Sequence, residues 1–129
     1  MPQTIVGTEV ENFLEYSLEA NEHNVETQVP ANGINVSWSY IDLLLVDLKK
    51  AISSKFQNVS GTAEEKIPHE VHNLSIMCQN HGYEEGIIVL SGFGWSPVKF
   101  NYYLNEYPVP SNVRIISYDQ FEEEFLTKN

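Results

Sequence analysis

The chain has 129 residues, with seven basic side chains against eighteen acidic ones and a formal net charge of −11. Its length suits one domain, residues 1–129, with a sizeable core, and a 42% hydrophobic content without repeats or low-complexity runs excludes a disordered chain. No stretch approaches the ~20 apolar residues of a membrane span, the N-terminus lacks the basic and apolar regions of a signal peptide, and the single cysteine, Cys78, excludes an internal disulfide. A soluble, cytoplasmic protein without a membrane partner is therefore expected.

Taken in order, Thr8 and Glu11 form a capping-box pattern, and Val6, Val10, Phe13, Leu14 and Leu18 recur at helical spacing. A helix from about Glu9 to Asn21 follows. Val25 to Val29 reads as a short strand, and Pro30, Asn32 and Gly33 break the chain before a second strand from Trp38 to Val46. Alternate residues of a strand share a face, so Tyr40, Asp42, Leu44 and Val46 are expected to point one way, with Asp42 the lone charge among them. Asp47 to Lys50 make a short polar link suited to a hairpin. On the next strand Ser53, Lys55 and Gln57 share one face, and Ile52, Ser54 and Phe56 take the other. Asp42 and Lys55 thereby become near neighbours on adjacent antiparallel strands.

Ala63, Ile67, Val71, Leu74 and Cys78 then trace one face of an amphipathic helix, which either kinks at Pro68 or begins there. Ile87 to Leu90 is a continuous apolar run, the mark of a central strand covered on both faces. Gly92 to Trp95 reads as a tight turn, Ser96 and Pro97 as the cap and first position of a helix to Asn105, Val113 to Ser117 as a last strand, and Asp119 as the cap of a final helix. His69, His72, Cys78 and His81 match no zinc-site spacing and suit a solvated helix face. Trp38, Tyr40, Tyr102 and Tyr103 have the residue types for base stacking or an oligomer interface, although core packing is the commoner role.

The residues from Asp42 to Lys66 resemble the PD-(D/E)XK, or restriction-endonuclease-like, nuclease superfamily, whose signature is an aspartate on one strand and Glu/Asp-x-Lys on the next. Here the match is Asp42 with Ser53-Ser54-Lys55, followed by Phe56-Gln57 and a Ser-Gly-containing entry into a helix. The element order αβββαβαβα contains the αβββαβ core of that superfamily, which implies an α/β fold with a mixed central sheet flanked by helices. The departure is Ser53, which stands where the acidic residue of the motif belongs. The resemblance implies DNA hydrolysis by a homing or phage-type, restriction-like or resolvase-like endonuclease, located in the host cell if phage-encoded. It implies Mg²⁺, with Mn²⁺ as substitute, held by Asp42 and completed by Glu11 of the first helix or by Glu70, less readily Glu64 or Glu65, of the helix after the motif. Lys55 would orient the attacking water and Gln57 would position phosphate or water. Cutting both strands of a duplex would call for a homodimer or higher oligomer. Against this, a charge of −11 lacks the overall basic character of a DNA binder. The rival reading is a catalytically silent nuclease-fold module that acts as an acidic interaction or regulatory partner.

Overall fold

The computed structural model describes residues 7–34, 38–58 and 63–126. Val6, the Thr8 side chain of the expected capping box, and the Ser60 to Thr62 entry to the second helix lie outside what is described. The elements run α1 (Gly7–Ala20), β1 (Val25–Asn32), β2 (Trp38–Leu45), β3 (Lys50–Phe56), α2 (Ala63–His81), β4 (Glu85–Ser91), α3 (Pro97–Asn105), β5 (Val113–Ser117) and α4 (Tyr118–Phe125).

The five strands form one sheet in the order β1-β2-β3-β4-β5. β1, β2 and β3 pair antiparallel, and the short polar turn after Leu45 is enough to join the last two. β3, β4 and β5 pair parallel, which requires the chain to return along the sheet between strands. α2 and α3 make those returns. Ile67, Val71, Leu74 and Cys78 of α2 bury one face of the sheet with Ile41, Leu44, Ala51, Ile88 and Leu90, and Phe100, Tyr103 and Leu104 of α3 pack against the same cluster. Leu14 and Leu18 of α1 and Phe121 and Phe125 of α4 cover the other face with Leu43, Leu45, Ile52, Ile87 and Val89. The result is a helix–sheet–helix sandwich, the mixed α/β architecture expected from the element order. β4 contributes to both cores along its length, which explains its unbroken apolar run.

Three details depart from the sequence reading, and one choice that it left open is decided. β1 continues through Pro30 to Asn32. It is an edge strand, where the missing proline N–H leaves no sheet partner wanting. The last helix is capped by Ser117 rather than Asp119: Ser117 Oγ accepts the Gln120 N–H at 3.2 Å, and the Gln120 side chain accepts the Ser117 N–H at 3.2 Å. Phe13, placed on the apolar stripe of α1, is largely exposed. The choice left open at Pro68 falls to a helix that runs from Ala63 through the proline to His81 and does not begin there.

Proline inside a helix removes the N–H that the carbonyl four residues earlier would accept, here Glu64 O. The fold supplies another donor, because the Tyr103 hydroxyl of α3 donates to Glu64 O at 2.8 Å. Truncating that hydroxyl by Tyr103→Phe is expected to cost about 1 kcal/mol in urea unfolding, the usual worth of a hydrogen bond whose partner is left unmet. Pro68→Ala returns a helical N–H to the same carbonyl, so the Tyr103→Phe cost should fall by at least half in that background. A double-mutant cycle without coupling would show that the two residues do not share the carbonyl.

Candidate active site

The site begins with a change of face in β2. Ile41 and Leu43 are two residues apart and in a regular strand would share a side, yet Ile41 packs with α2 and Leu43 with α1 and α4. The residue between them is Asp42. β1 turns over at the same level: Val25 packs toward the α1 core and Val29 toward the α2 core, and Gln28 between them adopts a positive φ of 50°. Pairing of Thr27 with Leu43 and of Val29 with Ile41 skips this rung. A positive φ is uncommon outside glycine and marks a local distortion of the kind seen at bulges. On the other side, register pairs between β2 and β3 run only from Leu45↔Lys50 to Leu43↔Ile52, so β2 leaves β3 where Asp42 begins.

At this parting the Asp42 carboxylate reaches sideways, and its Oδ2 accepts the Ser54 backbone N–H of β3 at 2.8 Å. The simple alternation expected for Tyr40, Asp42, Leu44 and Val46 therefore fails, since the distortion intervenes: Leu44 and Val46 face α2, while Tyr40 is exposed. Ser53 and Lys55 do share a face, toward α2. Ser53 Oγ donates to Glu70 Oε1 at 2.7 Å, and Lys55 Nζ lies 3.4 Å from Glu70 Oε2. The α2 carboxylate thus stands within hydrogen-bond distance of the strand position that lacks one.

Glu11 enters from α1. Its Oε1 accepts from Gln28 Nε2 at 3.1 Å, and with Asn12, Thr27, Gln28 and Asp42 it lines a polar cleft of about 400 Å³. Burial raises the pKa of Glu11, the nearby Asp42 charge raises it further, and Lys55 draws it back. Asp42 is likewise held above the usual carboxylate range. Burial is the main cause, partly offset by the Ser54 N–H and by Lys55, and reinforced by the Glu70 charge. Asp42 and Glu11 are therefore both harder to ionise than free carboxylates, with Lys55 opposing the shift in each, and a cation bound beside them would relieve that cost.

Gln57 lies elsewhere. Its side-chain N–H groups donate to Glu64 Oε1 at 3.0 Å and to Gly94 O at 2.9 Å, so this buried amide ties the end of β3 to the loop after β4. Its backbone carbonyl accepts the Gly94 N–H at 2.7 Å, and Gly92, with φ of 95°, passes so close that a Cβ there would sit 2.3 Å from the same oxygen. The expected role in positioning phosphate is replaced by this clamp. Glu64, an alternative ligand in the sequence reading, is spent there too, accepting also from the Ser96 N–H at 2.8 Å and pairing with Lys99 at 3.7 Å. Sequence reasoning missed Gln28 altogether, because nothing in the residue type announces a positive φ.

Among the described residues, no three His, Cys, Asp or Glu side chains are gathered tightly enough to hold a metal by themselves. The donor set still fits a hard divalent cation, since Mg²⁺ commonly takes one or two carboxylates and completes its shell with water and substrate oxygens. Asp42 with Glu70 or Glu11 meets that need.

A bent antiparallel hairpin on a parallel sheet, with an aspartate at the bend and a lysine on the next strand, is the arrangement of a restriction-endonuclease-like protein. The chain belongs to the PD-(D/E)XK nuclease superfamily, whose domain model matches residues 6–118. The fold is similar to that of a protein of unknown function, AF1548, known from a crystal structure, at a TM-score of 0.52 and 14% identity. The likeness covers 85% of this chain and 57% of that one, so this chain spans little more than half of its structural neighbour. No curated protein matches the sequence.

The raised pKa of Asp42 fixes the sign of a stability test in metal-free, chelator-containing buffer. A folded-state value above the unfolded one means the native protein binds the proton more tightly, so stability falls as pH rises from the unfolded value, about 3.9, and levels off above the folded value. Asp42→Asn keeps an acceptor for Ser54 and cannot ionise. It is expected to unfold at a higher temperature than the parent at pH 7, with the gap closing toward pH 3 in thermal melts. A variant less stable than the parent at pH 7 would refute the reading.

Proposed function

We propose that this chain is a divalent-metal-dependent endonuclease of DNA whose second carboxylate comes from helix α2. The observation that carries this is the position of Glu70, bonded at once to Ser53 at 2.7 Å and to Lys55 at 3.4 Å. Glutamate at position 53 would occupy the space that Glu70 reaches from across the core, so serine there is a donor that holds the relocated acid. Mg²⁺, with Mn²⁺ as substitute, would be held by Asp42 with Glu70 or Glu11 and, when bound, would polarise the scissile phosphate and lower the pKa of the attacking water. Asp42 is oriented by the Ser54 N–H, which engages only one of its two oxygens, and it lines the same cleft as Glu11. Lys55 contributes positive charge beside the phosphate and a donor for the attacking water. Glu11, steadied by Gln28, adds negative charge on the far wall of the cleft. One site cuts one strand, so double-strand cleavage needs two copies, and a homodimer or higher oligomer is part of the proposal.

A second reading, a nuclease fold retained as an acidic interaction module, draws on the charge. The net charge is −11, and Lys50, Lys55, Lys99 and Arg114 are all engaged by carboxylates within the fold. That pairing leaves little basic surface for a duplex backbone.

Gel assays on plasmid, linear and branched DNA with Mg²⁺ or Mn²⁺ separate the two. The parent is expected to cut, Lys55→Met and Glu70→Gln to lose on the order of 10²-fold or more, and Ser53→Glu to restore activity to the Glu70→Gln protein. Loss without rescue would argue against the relocated carboxylate. No cleavage and no DNA binding by the parent or by Ser53→Glu would favour the interaction module.

A further inference from the structure

The three parallel strands end side by side at Phe56, Ser91 and Ser117, the last residues of β3, β4 and β5. Two hollows open there. One, of about 460 Å³, lies between the start of α1 and the start of α4; Val10, Phe13, Phe56 and Tyr118 make its lining almost wholly apolar, with Glu9 as its charged member. The other, of about 300 Å³, is lined by Leu90, Phe93 and Phe100 and by Asp119. Ser91 and Tyr118 belong to both, so the hollows join into one trough across the strand ends. Crevices outside the carboxyl ends of parallel strands are the usual seats of ligands in α/β folds.

Two of the lining rings face water, Phe13 at 53% exposure and Phe93 at 97%. Phe93 does not owe this to a slack loop. The Gly94 N–H donates to Gln57 O at 2.7 Å, Gln57 Nε2 donates to Gly94 O at 2.9 Å, and Trp95 Nε1 donates to Ser91 O at 2.8 Å, so the chain is fastened on both sides of the ring. A large apolar side chain held out in this way is unfavourably hydrated in the free protein and loses little freedom on contact with a partner. Ser91 Oγ, between the two hollows, is buried with no hydrogen-bond partner among the described residues, a cost that an incoming polar group removes. Charge identifies the occupant. Glu9 and Asp119, the charged residues of the lining, are exposed carboxylates, and among the described residues neither hollow is lined by lysine or arginine. Lys99, beside Phe100, is paired with Glu64. A nucleic-acid backbone is repelled here, and a second copy of a chain with a net charge of −11 brings the same carboxylates to the contact. We infer that the trough docks a segment of a partner protein that carries two large apolar side chains flanked by lysine or arginine. The apolar anchors fill the two hollows, and the cations meet Glu9 and Asp119. This surface goes beyond the nuclease reading and does not rest on it, although Phe56 directly follows Lys55, so a docked segment lies beside the end of the strand that carries the lysine.

The probe is a short fluorescein-labelled peptide of leucine and lysine at helical spacing, read by anisotropy on the full chain, with oligolysine and a leucine–glutamate peptide of equal length as controls. The leucine–lysine peptide is expected to bind and both controls to bind far more weakly. Phe13→Ser and Phe93→Ser, at exposed positions, should each weaken it by about 5- to 30-fold, the usual scale for truncating an interface anchor. Glu9→Gln combined with Asp119→Asn should weaken it too and flatten its salt dependence. Glu26→Gln with Glu84→Gln, near the amino end of β4, and Trp38→Ala, at an exposed position on β2, should leave it unchanged and so separate docking from general attraction to an acidic or apolar surface. Absence of binding, equal binding of oligolysine, or an affinity indifferent to Phe13→Ser and Phe93→Ser would overturn the proposal. An oligomer that Phe93→Ser dissociates would overturn it in favour of a second copy, and DNA binding lost on the same two substitutions would overturn it in favour of the nucleic acid.

Discussion

The site depends on the rung where β1 and β2 change face. A sheet with perfect alternation would bury Asp42 against one helix layer or expose it on the other, and neither position brings it to Lys55 and Glu11 together. By putting Gln28 at a positive φ and releasing β2 from β3 after Leu43, the fold opens a seam in the sheet and aims the carboxylate along it. Strained backbone at functional sites costs about 1–3 kcal/mol and persists only where surrounding packing holds it. Here the two apolar cores on either side, each anchored by residues flanking Asp42, supply that packing.

Around the seam, polar groups fall into two sets with different tasks. Asp42 and Glu11 are held above the usual carboxylate range chiefly by burial, Glu70 pairs with Lys55, and all four side chains remain partly open to solvent. Glu64, Gln57 and the backbone of Gly94 and Ser96 form a satisfied, mostly buried cluster that fixes the first turn of α2 against the end of β3. Fixing that turn sets the register of Glu70, less than two helical turns further along, against Ser53 and Lys55. Tyr103, by completing the carbonyl that Pro68 deprives of a partner, reinforces the same junction from α3. Glu70 is thus carried by a helix whose starting point is pinned at several places.

The charge pattern fits a protein whose cations are mostly used internally. Arg114 bridges Glu85 and Glu124, and Lys50 joins Glu85 at the first rung of β3 and β4, three residues before Ser53. Superfamily membership accounts for the strand–lysine geometry.

Much of this was legible in the sequence. Helical and alternating periodicities together with cap and turn residues located the nine elements among the described residues, the unbroken run at Ile87 to Leu90 marked the central strand, and the Asp42 to Lys55 spacing across a hairpin pointed to the superfamily, because these signals are local. What required the tertiary structure was every relation between distant segments. The meeting of Glu70 with Ser53, the diversion of Gln57 and Glu64 into a clamp, and the rescue of the Glu64 carbonyl by Tyr103 all join residues whose partners are set by how helices lie on the sheet. The turn-over at Gln28 and Asp42 is the sharpest case: alternation predicts where a side chain points only while the strand stays regular, and a single distorted rung, invisible in residue type, puts Ile41 and Leu43 on opposite faces with the aspartate between them.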